Sequence, residues 1–225
     1  MNNFTIERIP SGIPGLDKLI EGGFVKGSTI LISGSAGVGK TIFCSQFIWE
    51  GLKRGENCLF ITLEETPEDI IEDVSVFGWD FKKYIEQGQL IIEFTDPFEL
   101  TDIISPLIEK IKSHNISRVV LDSTSLLGLY FEKPSEIRKQ LYKLVKALKT
   151  TKATSLLTAE IPEGSHCISR FGVEEFVVDG VIVLYSIGTG EGMYRSLQIK
   201  KMRRTNHSHD LHSFKITKNG IVVIE

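Results

Sequence analysis

The stretch Gly34-Ser35-Ala36-Gly37-Val38-Gly39-Lys40-Thr41 constrains this chain more than any other. It fits the pattern G-x-x-x-x-G-K-[ST], whose glycines let the backbone curl until successive N–H groups point inward. The product is a concave anion site that opens onto a helix N-terminus. Lys40 is expected to reach the β- and γ-phosphates of a nucleotide, and Thr41 to set its hydroxyl on Mg²⁺. Ser35 to Ile42 is therefore the candidate nucleotide-binding segment. The competing reading is a glycine-rich turn that happens to precede Lys-Thr.

The flanks favour the phosphate loop. Residues 28–33 form an apolar, β-branched run that reads as a buried strand. Residues 41–54 carry Ile42, Phe43, Ile48 and Trp49 at helical spacing, and Gly55 follows as a stop. Strand, loop and helix are the context this pattern requires.

Further on, residues 57–63, 90–94, 117–122 and 153–159 read as strands. Thr66-Pro67-Glu68-Asp69 reads as a helix start, with a hydroxyl cap, proline at the first position and an acid at the third. Residues 99–113 and 134–149 have helical periodicity. This alternation predicts an α/β fold around a mainly parallel sheet. Residues 180–186, 194–203, 212–217 and 221–224 read as four strands without helices between them, an antiparallel extension of the sheet. With 225 residues, the whole of 1–225 is expected to be one domain.

Charge narrows the function classes. A formal net charge of -3 gives no global basic field to recruit nucleic acid. Cys44, Cys58 and Cys167 form no C-x-x-C and fit a reducing compartment. The N-terminus has no charged-then-apolar leader pattern, and no apolar run reaches the ~18 residues that span a bilayer. The expectation is a cytoplasmic protein with no membrane partner.

Several polar residues stand where a phosphate-loop protein needs them. Asp122 ends an apolar strand, the position of a carboxylate that holds Mg²⁺; as an alternative it caps a helix beginning at Ser123-Thr124. Glu64 and Glu65 follow the strand 57–63, where a carboxylate can orient the water that attacks a phosphate; alternatively both only favour the next helix N-terminus. Glu160 ends another apolar run and either senses the nucleotide or pairs with a cation such as Arg170. Lys200-Lys201-Met202-Arg203-Arg204 is the densest cationic run; on a strand, Lys201 and Arg203 share one face and Met202 and Arg204 the other. It suits a triphosphate or, as a bland alternative, a solvated edge strand. His207, His209 and His212 lie nearby, a weak metal candidate without cysteine partners.

Taken together, the motifs resemble the KaiC-like ATPases of the RecA superfamily over residues 9–220. The resemblance rests on Ser11-Gly12-Ile13-Pro14-Gly15-Leu16-Asp17, on Glu21-Gly22-Gly23, and on Phe60-Ile61-Thr62-Leu63-Glu64-Glu65-Thr66. It continues through Ser169-Arg170-Phe171-Gly172-Val173-Glu174-Glu175-Phe176 and through Lys201-Met202-Arg203 with Thr205 and His207. It implies a RecA-like fold and a Mg²⁺-dependent ATPase assembled as a ring, commonly a hexamer, with ATP between subunits. One subunit would supply Lys40, Thr41, Glu64, Glu65 and Asp122; its neighbour would supply Lys201, Met202, Arg203, Thr205 and His207. Some members carry two such domains and phosphorylate themselves at neighbouring Ser and Thr. The approximate counterparts here are Glu175 and Phe176, so autokinase activity is not expected. The family's usual glycine after Lys-x-Arg is Arg204 in this chain. Two other classes compete: a DNA-binding recombination ATPase, and a nucleotide-dependent scaffold for a regulatory protein partner with little hydrolysis.

Overall fold

In the computed structural model, which describes residues 5–96, 104–165, 167–189 and 192–224, the strand feeding the glycine-rich loop is buried at every residue. This strand, β3 (Thr29–Gly34), lies inside a nine-stranded sheet among the described residues. Three short elements precede it: β1 (Arg8–Ile9), α1 (Leu16–Leu19) and β2 (Phe24–Val25), with β1 and β2 paired antiparallel. After it come α2 (Lys40–Lys53), β4 (Asn57–Thr62), α3 (Pro67–Ser75), α4 (Phe81–Glu86) and β5 (Leu90–Phe94). Next are α5 (Ile104–Ser113), β6 (Ile116–Asp122), a 3-10 turn (Thr124–Leu129), α6 (Pro134–Thr151), β7 (Thr154–Glu160) and α7 (Glu174–Val177). The chain closes with β8 (Gly180–Thr189), β9 (Gly192–Met202), β10 (Leu211–Thr217) and β11 (Gly220–Val223).

The strand order is β11-β10-β9-β8-β3-β7-β6-β4-β5. From β8 to β5 every neighbouring pair is parallel. β9, β10 and β11 continue antiparallel. The expected C-terminal extension is present, with one difference: its first strand, β8, pairs parallel with β3, and the antiparallel run begins at β9. Residues 99–103 of the expected helix 99–113 lie outside the described residues, and α5 covers the remainder. α4 and α7 are too short for periodicity to mark them. Among the described residues no helix is long and apolar enough to cross a membrane.

Period-two alternation gives the central parallel strands two buried faces. Ile30, Ile32, Phe60, Val120, Leu156 and Ile182 meet Phe43, Phe47 and Ile48 of α2 on one side. Leu31, Leu59, Val119, Leu121, Leu157 and Val181 pack with α5 and α6 on the other. Full burial of each such side chain contributes about 1.5–3 kcal/mol, so both layers matter.

Polar clasps tie the chain ends to this core. Gln46 of α2 donates to Gly12 O at 2.9 Å and Ile221 O at 3.0 Å, and accepts from Ile221 N–H at 2.7 Å. Gly12 (φ 80°) passes so close to α2 that a Cβ there would come within 2.5 Å of Glu50 Cβ. Arg118 of β6 is fully buried: its Nε meets Glu56 at 2.6 Å, its Nη1 donates to Pro10 O and Phe47 O at 2.9 Å, and its guanidinium lies 4.5 Å from the Phe47 ring centre. Every one of those donors faces an acceptor, which makes the buried cation tolerable.

Gln46→Leu keeps the volume but strips partners from three backbone groups. Each orphaned group costs roughly 1–3 kcal/mol, so the loss should be on the order of 3 kcal/mol. Thermal melts should show a drop of about 6–12 °C, given roughly 2–4 °C per kcal/mol at this size. A melt within a degree of wild type would show that the clasp does not hold β11.

Candidate active site

Loop 34–41 joins β3 to α2. Gly34 needs its missing side chain: a Cβ would come within 2.6 Å of Leu184 O and 2.8 Å of Val38 Cγ1. Val38 is buried, so only its backbone faces the loop interior, whereas Ala36 and Gly37 are exposed. Lys40 Nζ donates to Gly34 O at 3.1 Å and Ser35 O at 3.0 Å. That uses two of its three protons and holds the ammonium across the loop. Ile42 turns its partly buried side chain against the core.

Parallel strands all finish at one end of a sheet, and here that end faces the α2 N-terminus. Phe60, Val120 and Leu156 point toward α2. Alternation therefore turns Thr62, Asp122 and Thr158 the same way. Asp122 Oδ2 accepts from Thr41 Oγ1 at 2.8 Å, and its Oδ1 accepts from Thr158 Oγ1. Burial pushes the Asp122 carboxyl above its ordinary range, and the charge of Glu160 adds to this; Thr158, Thr41 and Lys40 oppose the shift.

Glu64 and Glu65 leave β4 through a turn built by Thr62. Its hydroxyl donates to Glu65 O at 2.8 Å and accepts from the Glu65 N–H at 3.0 Å. Burial raises the pKa of Glu64, followed by the charges of Asp122 and Glu160, while Ser123 and Lys40 lower it. Glu65 is also raised, first by burial and then by Asp122, Asp73, Glu64 and Asp69. Glu64 thus senses Lys40 and Glu160 across the site, whereas Glu65 senses the acids of α3. Glu160 Oε2 is 3.6 Å from Arg170 Nη1, and its backbone N–H donates to Ser125 Oγ at 2.7 Å.

The donors gathered here suit a small hard cation. Thr41 and Asp122 offer only oxygen, and the carboxyls, raised first by burial and then by one another's charge, would be relieved by a divalent cation. Mg²⁺ is held by one or two carboxylates together with substrate phosphates and waters, which fits this sparse set. Among the described residues no group of three His, Cys, Asp or Glu side chains could hold a metal unaided. His207 and His209 sit with ring centres 4.7 Å apart, but His212 Nε2 is engaged by Ser208 Oγ at 2.7 Å.

The remaining candidates lie elsewhere. Gly34 is level with Leu184 of β8, whereas Lys201 is level with Val181, three residues earlier. At about 3.3 Å per residue, that is ~10 Å toward the far end of the sheet. Arg203 and Thr205 come after β9 has ended there. Lys201 Nζ donates to Glu175 O at 2.9 Å and Val178 O at 2.7 Å. Burial and then neighbouring Arg203 lower its pKa. Arg203 Nη1 is 3.4 Å from the buried Asp179, which also pairs with Lys149 at 2.8 Å. Met202 is buried against Gly180, so its side chain is core, and only its backbone is left for a ligand. Thr205 Oγ1 accepts from Arg8 at 2.9 Å, and His207 Nδ1 is 2.8 Å from Ser208 O. Within one chain, then, Lys40, Thr41, Asp122 and Glu64 come together, while Lys201, Arg203, Thr205 and His207 do not join them. The sequence pattern assigns no individual role to Thr158, Thr124 or Glu174. Glu174 is buried and accepts from Ser169 Oγ at 2.8 Å and from the N–H groups of Phe171 and Val173.

A family model described as "ATPase: KaiC" matches residues 9–225. The circadian clock protein KaiC3 of Synechocystis is 36% identical over 97% of this chain and 46% of its own length. The UPF0273 protein MK0039 of Methanopyrus kandleri is 37% identical over 97% of this chain and 92% of its own. A solved KaiC-like protein, PH0186 from Pyrococcus horikoshii, superposes with a TM-score of 0.90 at 40% identity, covering 98% of this chain and all of the other. The chain spans less than half the length of the cyanobacterial clock relatives.

The raised Asp122 carboxyl has a stability sign. Its folded pKa lies above the unfolded value, so its favourable contribution exists at acid pH and is lost as pH rises through the raised value. At neutral pH the ionised group destabilises the fold in the absence of cation. Asp122→Asn should therefore raise the melting temperature of the nucleotide-free protein, by about 2–4 °C for each ~1 kcal/mol relieved. The gain should be present at pH 7 and fade on acidification, while Mg²⁺-dependent nucleotide binding is lost. Calorimetry at both pH values checks this, and an equal fall in melting temperature at both would contradict it.

Proposed function

The chain belongs to the KaiC family of ATPases, and we propose that it hydrolyses ATP with Mg²⁺ at sites completed by a neighbouring copy of itself. One observation carries this reading. Lys40, Thr41, Asp122 and Glu64 converge at one end of the sheet, while Lys201 and Arg203 lie at the other end with donors to spare among the described residues.

The loop N–H groups and Lys40 would bind the phosphates. Thr41 and Asp122 would hold Mg²⁺, which supplies charge neutralisation on the phosphate oxygens. Glu64 would orient the attacking water and accept its proton as the bond to the leaving ADP breaks. Its raised pKa improves it as a proton acceptor near neutral pH, and burial is the main cause. Glu65 would steady the turn and the negative field. Among the described residues Lys201 makes two carbonyl contacts, which leaves one proton, and exposed Arg203 contacts Asp179 through Nη1 alone. Presented by a neighbour, both would stabilise charge on the transferring phosphoryl group. Met202, Thr205 and His207 would frame the nucleotide from that side. A closed ring, most simply a hexamer, satisfies every such site at once. Glu175 and Phe176 have no hydroxyl to accept phosphate, which supports hydrolysis without self-phosphorylation. A regulatory role through a protein partner fits the family better than DNA handling, given the net charge of -3.

Glu64→Gln should lower kcat by about 10²-fold or more with nucleotide affinity near wild type, and Glu65→Gln should cost less. Lys40→Ala and Arg203→Ala subunits should each be inactive alone and recover activity when mixed into one oligomer. Proven mixing without recovery would rule out shared sites.

A further inference from the structure

β7 is wedged between β3, which carries the glycine-rich loop, and β6, which carries Asp122. The ends of β3 and β6 therefore sit two strands apart, about 10 Å at ordinary strand spacing. Thr41 of α2 reaches Asp122 across that gap, and one residue of the middle strand lies on the same α2 face between the two strand ends. The residue there is Thr158, paired with Ile32 of β3.

Thr158 is fully buried, and its hydroxyl donates to Asp122 Oδ1. The backbone ladder between β6 and β7 ends at Leu121 and Leu157. The bond from Thr158 to Asp122 is thus the next rung, made from side chains. Thr158 itself is held from behind: Thr124 Oγ1 donates to its carbonyl at 2.7 Å, and the Glu160 N–H two residues on is bonded to Ser125 Oγ at 2.7 Å. A carboxylate torsion is soft and nearly two-fold when nothing pins it. Here both oxygens of Asp122 are assigned, Oδ1 to Thr158 and Oδ2 to Thr41.

We propose that Thr158 is a positioning residue that fixes the plane of the Asp122 carboxylate, committing one oxygen to β7 so that the other stays turned to Thr41 and a bound cation. This rests on the reading of Thr41 and Asp122 as the Mg²⁺ site. Partners that orient metal-binding groups typically change metal affinity about 10–100-fold when removed.

Binding of a fluorescent ATP analogue to the full chain, titrated with Mg²⁺ and repeated in EDTA, tests the inference without relying on turnover. In Thr158→Val the Mg²⁺ concentration that half-saturates the Mg²⁺-dependent binding should rise about 10–100-fold. Binding in EDTA should stay as in wild type, and Thr158→Ser should restore the Mg²⁺ response. Should Thr158→Val fail to fold, Thr158→Ala takes its place against the same serine control. An unchanged Mg²⁺ response overturns the proposal. So does an equal loss with and without Mg²⁺, or a shift that serine does not recover, since each assigns the effect to packing. If the wild type itself shows no Mg²⁺ dependence, the Mg²⁺ reading falls and this proposal falls with it. Wild-type dependence with an unaltered valine variant removes this proposal alone.

Discussion

Parallel strands end at the same end of a sheet, and in this protein that fact concentrates charge. The loop after β3, Glu64 after β4, Asp122 at the end of β6 and Glu160 at the end of β7 all arrive beside the α2 N-terminus. Among the described residues these three carboxylates face Lys40 and, at Glu160, the exposed guanidinium of Arg170. The positive end of α2 favours them by a modest amount, typically below 1 kcal/mol when solvated. Burial outweighs that help at Asp122 and Glu64, whose pKa values rise. The site is thus under electrostatic load before any ligand arrives, and the rest of the fold has to hold it in place.

The load is carried on both sides of the loop. Beneath it, β3 is buried on two apolar faces. Beside it, the β10–β11 hairpin packs directly against the loop: a Cβ on Gly39 would lie 3.2 Å from Ile216 Cδ1. Gln46 then fastens that hairpin to α2 and to the segment around Gly12. The antiparallel extension is therefore part of the loop's support. The glycine-rich segment 11–23 also has a physical role, since its turns run too close to α2 and β11 for side chains at Gly12 and Gly15.

Loop, flanking strand and helix were legible because each is a contiguous pattern with one period. Asp122, Glu64 and Glu65 were legible because an acid after an apolar run marks a strand's C-terminal end. Strand order was not legible. The runs at 29–34, 57–62, 116–122 and 154–160 are all apolar, and nothing local says that the last lies between the first and third. For the same reason Thr158 read as one more β-branched residue. Gln46 and Arg118 were hidden because a polar residue in an apolar run looks like a surface position until its partners, distant in sequence, are known. Alternation placed Lys201 and Arg203 on one face; the structure instead ends β9 at Met202 and buries that side chain. Arg204 comes next with φ at 58°, a left-handed turn where glycine is the relaxed choice, and its carbonyl is held by Arg8 at 3.0 Å.

The placement of Lys201 and Arg203 at the far end has an electrostatic logic under the proposed reading. At the loop end they would have neutralised the carboxylates within one chain, and a cation would then gain little by binding. At the far end their neighbour is Asp179, shared with Lys149 and bonded to the Thr29 N–H at 3.1 Å. One end of the sheet is thus left short of positive charge, and the other carries it on a rigid support. Surfaces that differ in this way complement each other when the loop end of one copy meets the far end of another. A two-fold dimer would pair these ends reciprocally and stop at two copies, whereas a heterologous contact repeats and closes into a ring when the rotation allows. Under the proposed reading, sharing of the site then has its origin in this charge separation.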